Sequence, residues 1–260
     1  MNPREVAPEG QTTVGFYARD LHPVRSRKAM TRTPMKSDAQ PPSTRLTPIQ
    51  VLLKWLARAA FRVAARVRVE GLERFPPDGP YIVAINHLHV FDVVLAFATV
   101  PHAFAGLAGA HWQKRRFAWW LCGKAARLIP VHRDRLDPRT VAEADRWLRQ
   151  GGVLLVAPEG TRSRNAALIR GQPGVAYLAA RSEAQVVPLV AWGQEHWLAE
   201  WAHLRRPTIH IRVGEPLFLN DLGARPRGDT LSAGTDRIMM ALAALLPPEY
   251  HGVYAEGPPG

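Results

Sequence analysis

A histidine and an aspartate five residues apart, His87 and Asp92 in Asn86-His87-Leu88-His89-Val90-Phe91-Asp92, are types that together do proton chemistry. A carboxylate beside an imidazole holds the ring in one tautomer and stabilises its cation, which makes the ring a useful base near neutral pH. On one continuous helix such residues would point about 140° apart, so the two side chains can meet only across a turn. The flanking sequence predicts that turn. Tyr81-Ile82-Val83-Ala84-Ile85 reads as a buried strand leading in, and the uncharged run Val93 to Thr99 as a helix leading out. The plainer alternative is that Asp92 only N-caps the helix and His87 only sits in the turn.

A second apolar run, Val153 to Ala157, ends in Pro158-Glu159-Gly160-Thr161-Arg162, and a third, Ile129-Pro130-Val131, ends in His132-Arg133. Open α/β sheets place ligands at the carboxyl ends of their strands, so these ends can converge on one crevice. Gly160 allows a tight turn whose amides can meet an anionic oxygen. Arg162 offers a planar fork for phosphate, Arg133 adds another to the same side, and Glu159 can accept from a hydroxyl or buttress an arginine. Each of these alone is an ordinary surface feature. Together they describe a base beside a phosphate cradle.

The elements that must position these groups alternate along the chain. Val67 to Glu70 alternates as a strand, Phe104 to Leu107 follows as another, and Arg139 to Gln150 has an amphipathic helical period. Gly174 to Ser182 reads as a helix, Val186 to Trp192 as a buried strand, Thr208 to Val213 as a strand and Thr230 to Leu246 as a C-terminal helix. Strands separated by helices predict an α/β fold: a single domain with a mostly parallel central sheet flanked by helices, preceded by an amphipathic N-terminal helix. Its parts are a basic arm over 1–45, a basic amphipathic membrane-surface helix over 46–66, and the main domain over 67–260.

The arm carries eight basic and four acidic residues with no helical or strand period, a composition that favours disorder. No apolar core follows its first charges, so no secretory signal is expected there. In the helix after it, Thr47-Pro48 is an N-cap with proline at the first position. Lys54, Arg58, Arg62 and Arg66 recur every fourth residue as a cationic ridge beside Ile49, Leu52, Leu53, Trp55, Leu56, Ala59, Ala60 and Val63. That pattern suits an anionic membrane surface, the plainer alternative being a surface helix packed on its own domain. Gln113 to Trp120 mixes cations and aromatics, the pattern of a second membrane-facing patch, of a nucleic-acid surface, or simply of a helix with aromatics inward and charges outward. Val93 to Gln113 lacks Asp, Glu, Lys and Arg and is long enough to span a bilayer, but Pro101-His102 splits it. It reads instead as a helix, a turn and a strand.

With 260 residues and 47% hydrophobic content, the chain can bury a full core. Its net charge of +12 points to an anionic partner such as a phospholipid surface, nucleic acid or a phosphorylated substrate. A single cysteine, Cys122, excludes disulfide frameworks and cysteine-rich metal sites, and leaves a cytosolic face as the default.

The ordered set Asn86-His87 with Asp92, Ile129-Pro130-Val131-His132-Arg133, Pro158-Glu159-Gly160-Thr161-Arg162 and Val187-Pro188-Leu189 resembles the glycerolipid acyltransferase family, whose members include the 1-acyl-glycerol-3-phosphate acyltransferases. The resemblance covers roughly Val67 to Val213. It implies transfer of a fatty acyl group from acyl-CoA or acyl-carrier protein to the hydroxyl of a glycerol phosphate or lysophospholipid. It also implies no cofactor beyond that co-substrate, no metal and no nucleic acid. His87 becomes the general base and Asp92 its orienter, while Arg133, Glu159, Gly160, Thr161 and Arg162 match positions that hold the acceptor's phosphate and glycerol. The implied location is peripheral or monotopic, on the cytoplasmic face of the inner membrane. The sequence departs from the family pattern at His89, where serine is common, at Arg127 and His132, and in the loose block Leu168-Ile169-Arg170-Gly171.

Two other classes compete. His87-x-His89 before a carboxylate resembles the start of a two-metal histidine motif, but position 91 is Phe91, not an acid, and position 93 is Val93, not a further histidine. A non-catalytic binder of anionic lipid or nucleic acid explains the charge but not the coincidence of four separated motifs.

Overall fold

Seven strands form one sheet in a computed structural model that describes residues 44–131 and 137–259. The strands are β1 (Arg66–Glu70), β2 (Tyr81–Ile85), β3 (Phe104–Gly109), β4 (Arg127–Val131), β5 (Val153–Val156), β6 (Gln185–Trp192) and β7 (Thr208–Val213). The helices are α1 (Pro48–Ala64), α2 (Asp92–Thr99), α3 (Arg116–Ala125), α4 (Pro138–Arg149), α5 (Gly174–Ser182), α6 (Trp197–Ala202) and α7 (Gly228–Ala243). The basic arm and the His132-Arg133 strand end lie outside the described residues, apart from the arm's last two positions.

The sheet order is β1-β7-β6-β2-β5-β3-β4, and only β6 and β7 pair antiparallel. β7 turns back along β6 with a turn over Gln194–His196 and the short α6 between them, so β7 and β1 run against the other five strands. The expected mostly parallel sheet is thus the one found. β2 lies between β5 and β6, in register with both. The three strands therefore end side by side, and their carboxyl ends carry the site.

Alternation along β2 divides the core. Tyr81, Val83 and Ile85 face Leu95, Ala96 and Phe97 of α2, with Leu53 and Phe61 of α1 packed on the same cluster. Ile82 and Ala84 face the opposite way, toward Leu148 of α4, Ala176 and Ala179 of α5 and Ile238 of α7. A strand buried on both faces reads as the continuous apolar run seen in the sequence. Val93 to Gln113 divides into α2, a turn at Pro101 and β3, and among the described residues no helix is long and apolar enough to cross a membrane. α7 ends before the expected Leu246, because the chain tightens through Leu245 N–H to Leu242 O and Leu246 N–H to Ala243 O ahead of Pro247-Pro248.

α1 begins as expected. The Thr47 hydroxyl accepts from Gln50 N–H and the Gln50 side chain accepts from Thr47 N–H at 2.9 Å, a capping box. Of its expected cationic ridge, Arg58 and Arg62 are exposed, but Lys54 is turned inward. The buried Lys54 donates to the Val100 carbonyl and sits 5.3 Å from the Phe97 ring centroid, and Arg58 Nε donates to Ala98 O at 2.8 Å. Both satisfy carbonyls at the carboxyl end of α2, where the helix dipole favours positive charge. Burial, aided by the charge of Arg58, lowers the Lys54 ammonium pKa to about 8. Arg66 already belongs to β1. Beside the exposed Arg58 and Arg62, α1 also exposes Ile49, Leu52, Trp55, Leu56 and Val63.

Candidate active site

The chain leaves β2 through Asn86, whose buried side chain pairs with the backbone of β6. Asn86 Nδ2 donates to Ala191 O and Asn86 Oδ1 accepts from Ala191 N–H, each at 2.9 Å. This two-point link fixes where the following turn begins. His87 then uses both of its backbone polar groups on the loop after β5. Its N–H donates to Glu159 Oε1 and its carbonyl accepts from Ser163 N–H, each at 2.8 Å.

The His87 ring meets the Asp92 carboxylate across the turn, with Nδ1 3.0 Å from Oδ2. Asp92 is wholly buried, whereas the His87 side chain keeps 21% of its exposure. With Nδ1 given to the carboxylate, Nε2 is the nitrogen left for a reacting proton. Asp92 Oδ2 also accepts from His89 N–H at 2.7 Å, and Oδ1 accepts from Gln194 Nε2 at 2.8 Å. Phe91 occupies the N-cap position of α2, so Asp92 is the first helical residue and its carboxylate turns back into the turn. The positive end of the short helix favours that charge. Asp92 therefore does not N-cap α2, which has no side-chain cap; its carboxylate is spent on His87, His89 N–H and Gln194.

Glu159 is 2% exposed. Oε1 accepts from His87 N–H and Oε2 from Ile169 N–H at 3.1 Å, so both oxygens are held by main chain. Burial raises its pKa to about 7, against the lowering effect of those two hydrogen bonds and with a smaller push from Asp92. Glu159 thus braces the turn from beneath. Gly160 follows at φ +68°, a left-handed conformation that glycine adopts without a Cβ penalty. Its N–H returns to Ala157 O at 3.0 Å, closing the turn, and leaves Gly160, Thr161 and Arg162 exposed beside the histidine. The Arg162 guanidinium has no hydrogen bond or ion pair to the described residues, and its charge reaches the His89 ring. A planar cation in that state suits an oxyanion ligand.

The structure brings His87, Asp92, Glu159, Gly160, Thr161 and Arg162 together; Arg133 lies outside the described residues. Arg127 starts β4, at the opposite end of that strand from the crevice. It pairs with Glu143 at 2.9 Å and stacks on Trp147. His89 serves Asp92 through its backbone. Its ring accepts from Phe91 N–H at Nδ1 and packs against Phe91 and Trp197, and burial is the main cause of its lowered pKa. Among the described residues, no group of three or more His, Cys, Asp or Glu is arranged to hold a metal ion. Sequence reasoning missed Gln194, the anchoring role of Asn86, and α6. Asn86 stood in the motif and was legible as a polar residue at a buried strand end, but Gln194 carried no signal.

An apolar surface adjoins this site. Phe61 of α1 contacts Phe91, which contacts Trp197 of α6, which contacts Trp201. Trp201 Nε1 donates to Ala64 O at the end of α1, and Gln50 of α1 donates to Ala125 O at the end of α3. Trp55, Trp120, Leu121, Leu198, Trp201 and Leu204 are exposed on these three adjoining helices and the turn after α6.

Residues 66–192 match the family model described as acyltransferase. The chain is 29% identical over 153 residues to the mouse (Mus musculus) 1-acyl-sn-glycerol-3-phosphate acyltransferase alpha, covering 55% of this chain and 50% of that protein. It is 24% identical over 182 residues to the Bacillus subtilis 1-acyl-sn-glycerol-3-phosphate acyltransferase, covering 69% of this chain and 87% of that one. The crystal structure of the 1-acyl-sn-glycerophosphate acyltransferase PlsC from Thermotoga maritima superposes with a TM-score of 0.52 at 23% identity. That superposition covers 65% of this chain and 68% of the other, and establishes the shared fold. The chain spans about half the length of the mouse relative. Over residues 66–192 it is thus similar to the acyltransferase family model and to these glycerolipid acyltransferases.

Proposed function

We propose that this protein transfers a fatty acyl group from an acyl thioester, acyl-CoA or acyl-carrier protein, to the free hydroxyl of 1-acyl-glycerol-3-phosphate, giving phosphatidic acid. The observation that carries the proposal is His87 Nδ1 at 3.0 Å from the buried Asp92 Oδ2, beside the exposed Gly160-Thr161-Arg162 turn. His87 Nε2 takes the hydroxyl proton as the acceptor oxygen attacks the thioester carbonyl. The carbon–sulfur bond then breaks, and the proton passes from the imidazolium to the departing thiolate. Asp92 stabilises the imidazolium between those two steps. Base catalysis of this kind contributes about a hundred- to ten-thousand-fold, and fixed geometry supplies much of the rest. Arg162 holds the acceptor's phosphate, with Arg133 as a second cation. Gly160 and Thr161 shape the cradle, and Glu159 sets its position relative to His87. The similarity to proteins named for 1-acyl-glycerol-3-phosphate supports this choice of acceptor.

Both substrates have long acyl chains, and the chemistry accordingly takes place at a lipid surface. The exposed apolar face of α1, continued by α3 and α6, is the side offered to the bilayer. The single free cysteine fits the cytoplasmic face of the inner membrane, where thiols stay reduced.

An acceptor panel tests the reading. Purified protein is given acyl-CoA with glycerol-3-phosphate, 1-acyl-glycerol-3-phosphate, lysophosphatidylcholine or lysophosphatidylethanolamine, and products are identified by mass spectrometry. Phosphatidic acid from 1-acyl-glycerol-3-phosphate is the expected product. Faster transfer to a lysophospholipid that bears a head group on its phosphate would reassign the acceptor.

A further inference from the structure

Asp92 has two carboxylate oxygens, and the second is held from a point 102 residues further along the chain. Gln194 lies just beyond β6, at the start of the turn Gln194–His196, and is wholly buried. Its Nε2 donates to Asp92 Oδ1 at 2.8 Å and to Ala191 O at 3.2 Å, while its Oε1 is buried without a hydrogen-bond partner among the described residues. The carboxylate decides the orientation of the amide, because the flipped amide would set oxygen against oxygen. A buried carbonyl without a partner is unfavourable, and the fold tolerates one here while keeping the amide N–H on Asp92. Gly193 makes the bend that puts Gln194 under the site. Its φ is +92°, and a Cβ there would lie 2.2 Å from Thr208 O.

We propose that Gln194 is a positioning residue for acyl transfer, fixing the plane of the Asp92 carboxylate so that Oδ2 stays on His87 Nδ1. The proposal rests on reading His87 as the base. Held at Oδ2 alone, a carboxylate retains freedom about its Cβ–Cγ bond, and a donor on Oδ1 removes that freedom. The Ala191 carbonyl accepts from both Asn86 Nδ2 and Gln194 Nε2. One residue of β6 therefore anchors the start of the catalytic turn and the orienter of its acid. His87, His89 and Glu159 are the titratable groups that face this carboxylate, and Arg162 and Glu195 act on the adjoining His89 ring.

Two variants test the proposal by thiol release from acyl-CoA with 1-acyl-glycerol-3-phosphate. Gln194→Met keeps the length and removes the donor at every pH; the expected kcat is about 10- to 100-fold below wild type with both KM values within about two-fold. Gln194→Glu keeps the shape but donates to Asp92 only while protonated, and burial beside an existing carboxylate favours that protonated form. Its kcat relative to wild type is expected to rise at least about ten-fold as pH falls from about 8.5 to about 6. A flat ratio for Gln194→Glu, or wild-type kcat in Gln194→Met, overturns the proposal. So does a loss shared by KM and kcat in both variants, which marks mere structural support. Circular dichroism confirms folding, and where Gln194→Met does not fold the pH ratio of Gln194→Glu decides. His87→Ala is the control that separates the two claims: turnover retained there overturns the reading of the site, whereas an inactive His87→Ala with unaffected Gln194 variants overturns this proposal alone.

Discussion

Glu159 holds His87 by its main chain and not by its ring: Oε1 accepts from His87 N–H at 2.8 Å while Oε2 takes Ile169 N–H at 3.1 Å. The loop after β5 and the turn after β2 are thereby one unit, so the base and the anion-binding turn move together or not at all. Burial is the main cause of a Glu159 pKa near 7 in place of 4.5. A carboxyl that binds its proton more tightly folded than unfolded stabilises the fold fully below pH 4.5, and that contribution is lost as pH rises through about 7. Melting curves should show wild type losing about 3 kcal/mol relative to Glu159→Gln across that window, since each pKa unit is worth about 1.4 kcal/mol. A wild-type-minus-variant difference that is flat from acid to neutral pH rejects this view of Glu159.

Arg162 is the exposed cation beside His87 that no described residue occupies. Arg162→Ala is expected to raise KM for 1-acyl-glycerol-3-phosphate about ten-fold or more while leaving KM for acyl-CoA unchanged, as loss of a charge-assisted phosphate contact requires. Arg162→Lys should recover part of the loss, because a point charge lacks the planar fork. Steady-state kinetics with each substrate varied in turn check this. A KM change confined to the thioester would move Arg162 to the donor side.

Docking on lipid should depend on carbon more than on charge. Lys54 and Arg58 are turned onto carbonyls of α2, while Trp55 is 64% exposed and Leu204 98%. Burying a large apolar side chain is worth about 1.5–3 kcal/mol. Replacing Leu52 and Trp55 by serine should therefore weaken liposome flotation at least ten-fold, with most binding to neutral vesicles surviving moderate salt. Flotation that the two serines leave intact, or that salt abolishes, argues for the arginines instead.

How far the sequence reached depended on the range of each interaction. β2 and β5 were legible because a strand buried on both faces must be apolar throughout, and Asp92 because a carboxylate at a helix start has a local reason to be there. α1 was legible as a helix, down to the Thr47 cap, yet its orientation was not. Lys54 at fourth-residue spacing looks the same whether it meets water or the Val100 carbonyl, and only the position of α2 decides. The antiparallel return of β7 was hidden for a similar reason: the six-residue α6 has too short a period to read. Gln194 was illegible because its contact with Asp92 depends on where two distant strands end. The motifs Asn86-His87 and Glu159-Gly160-Thr161-Arg162 were found by type and spacing, but their division of labour was not. That Glu159 spends both oxygens on backbone amides is a fact of packing.

Acyl transfer depends on the pairing of His87 with Asp92, and single-turnover thiol release measures that dependence directly. Acyl-CoA and 1-acyl-glycerol-3-phosphate are mixed with excess wild type, His87→Ala or Asp92→Asn, each shown to be folded by its melting curve. His87→Ala is expected to lower the rate by at least about a hundred-fold and Asp92→Asn by about ten-fold or more, with acceptor binding retained in both. Thiol release by His87→Ala at the wild-type rate would contradict that dependence.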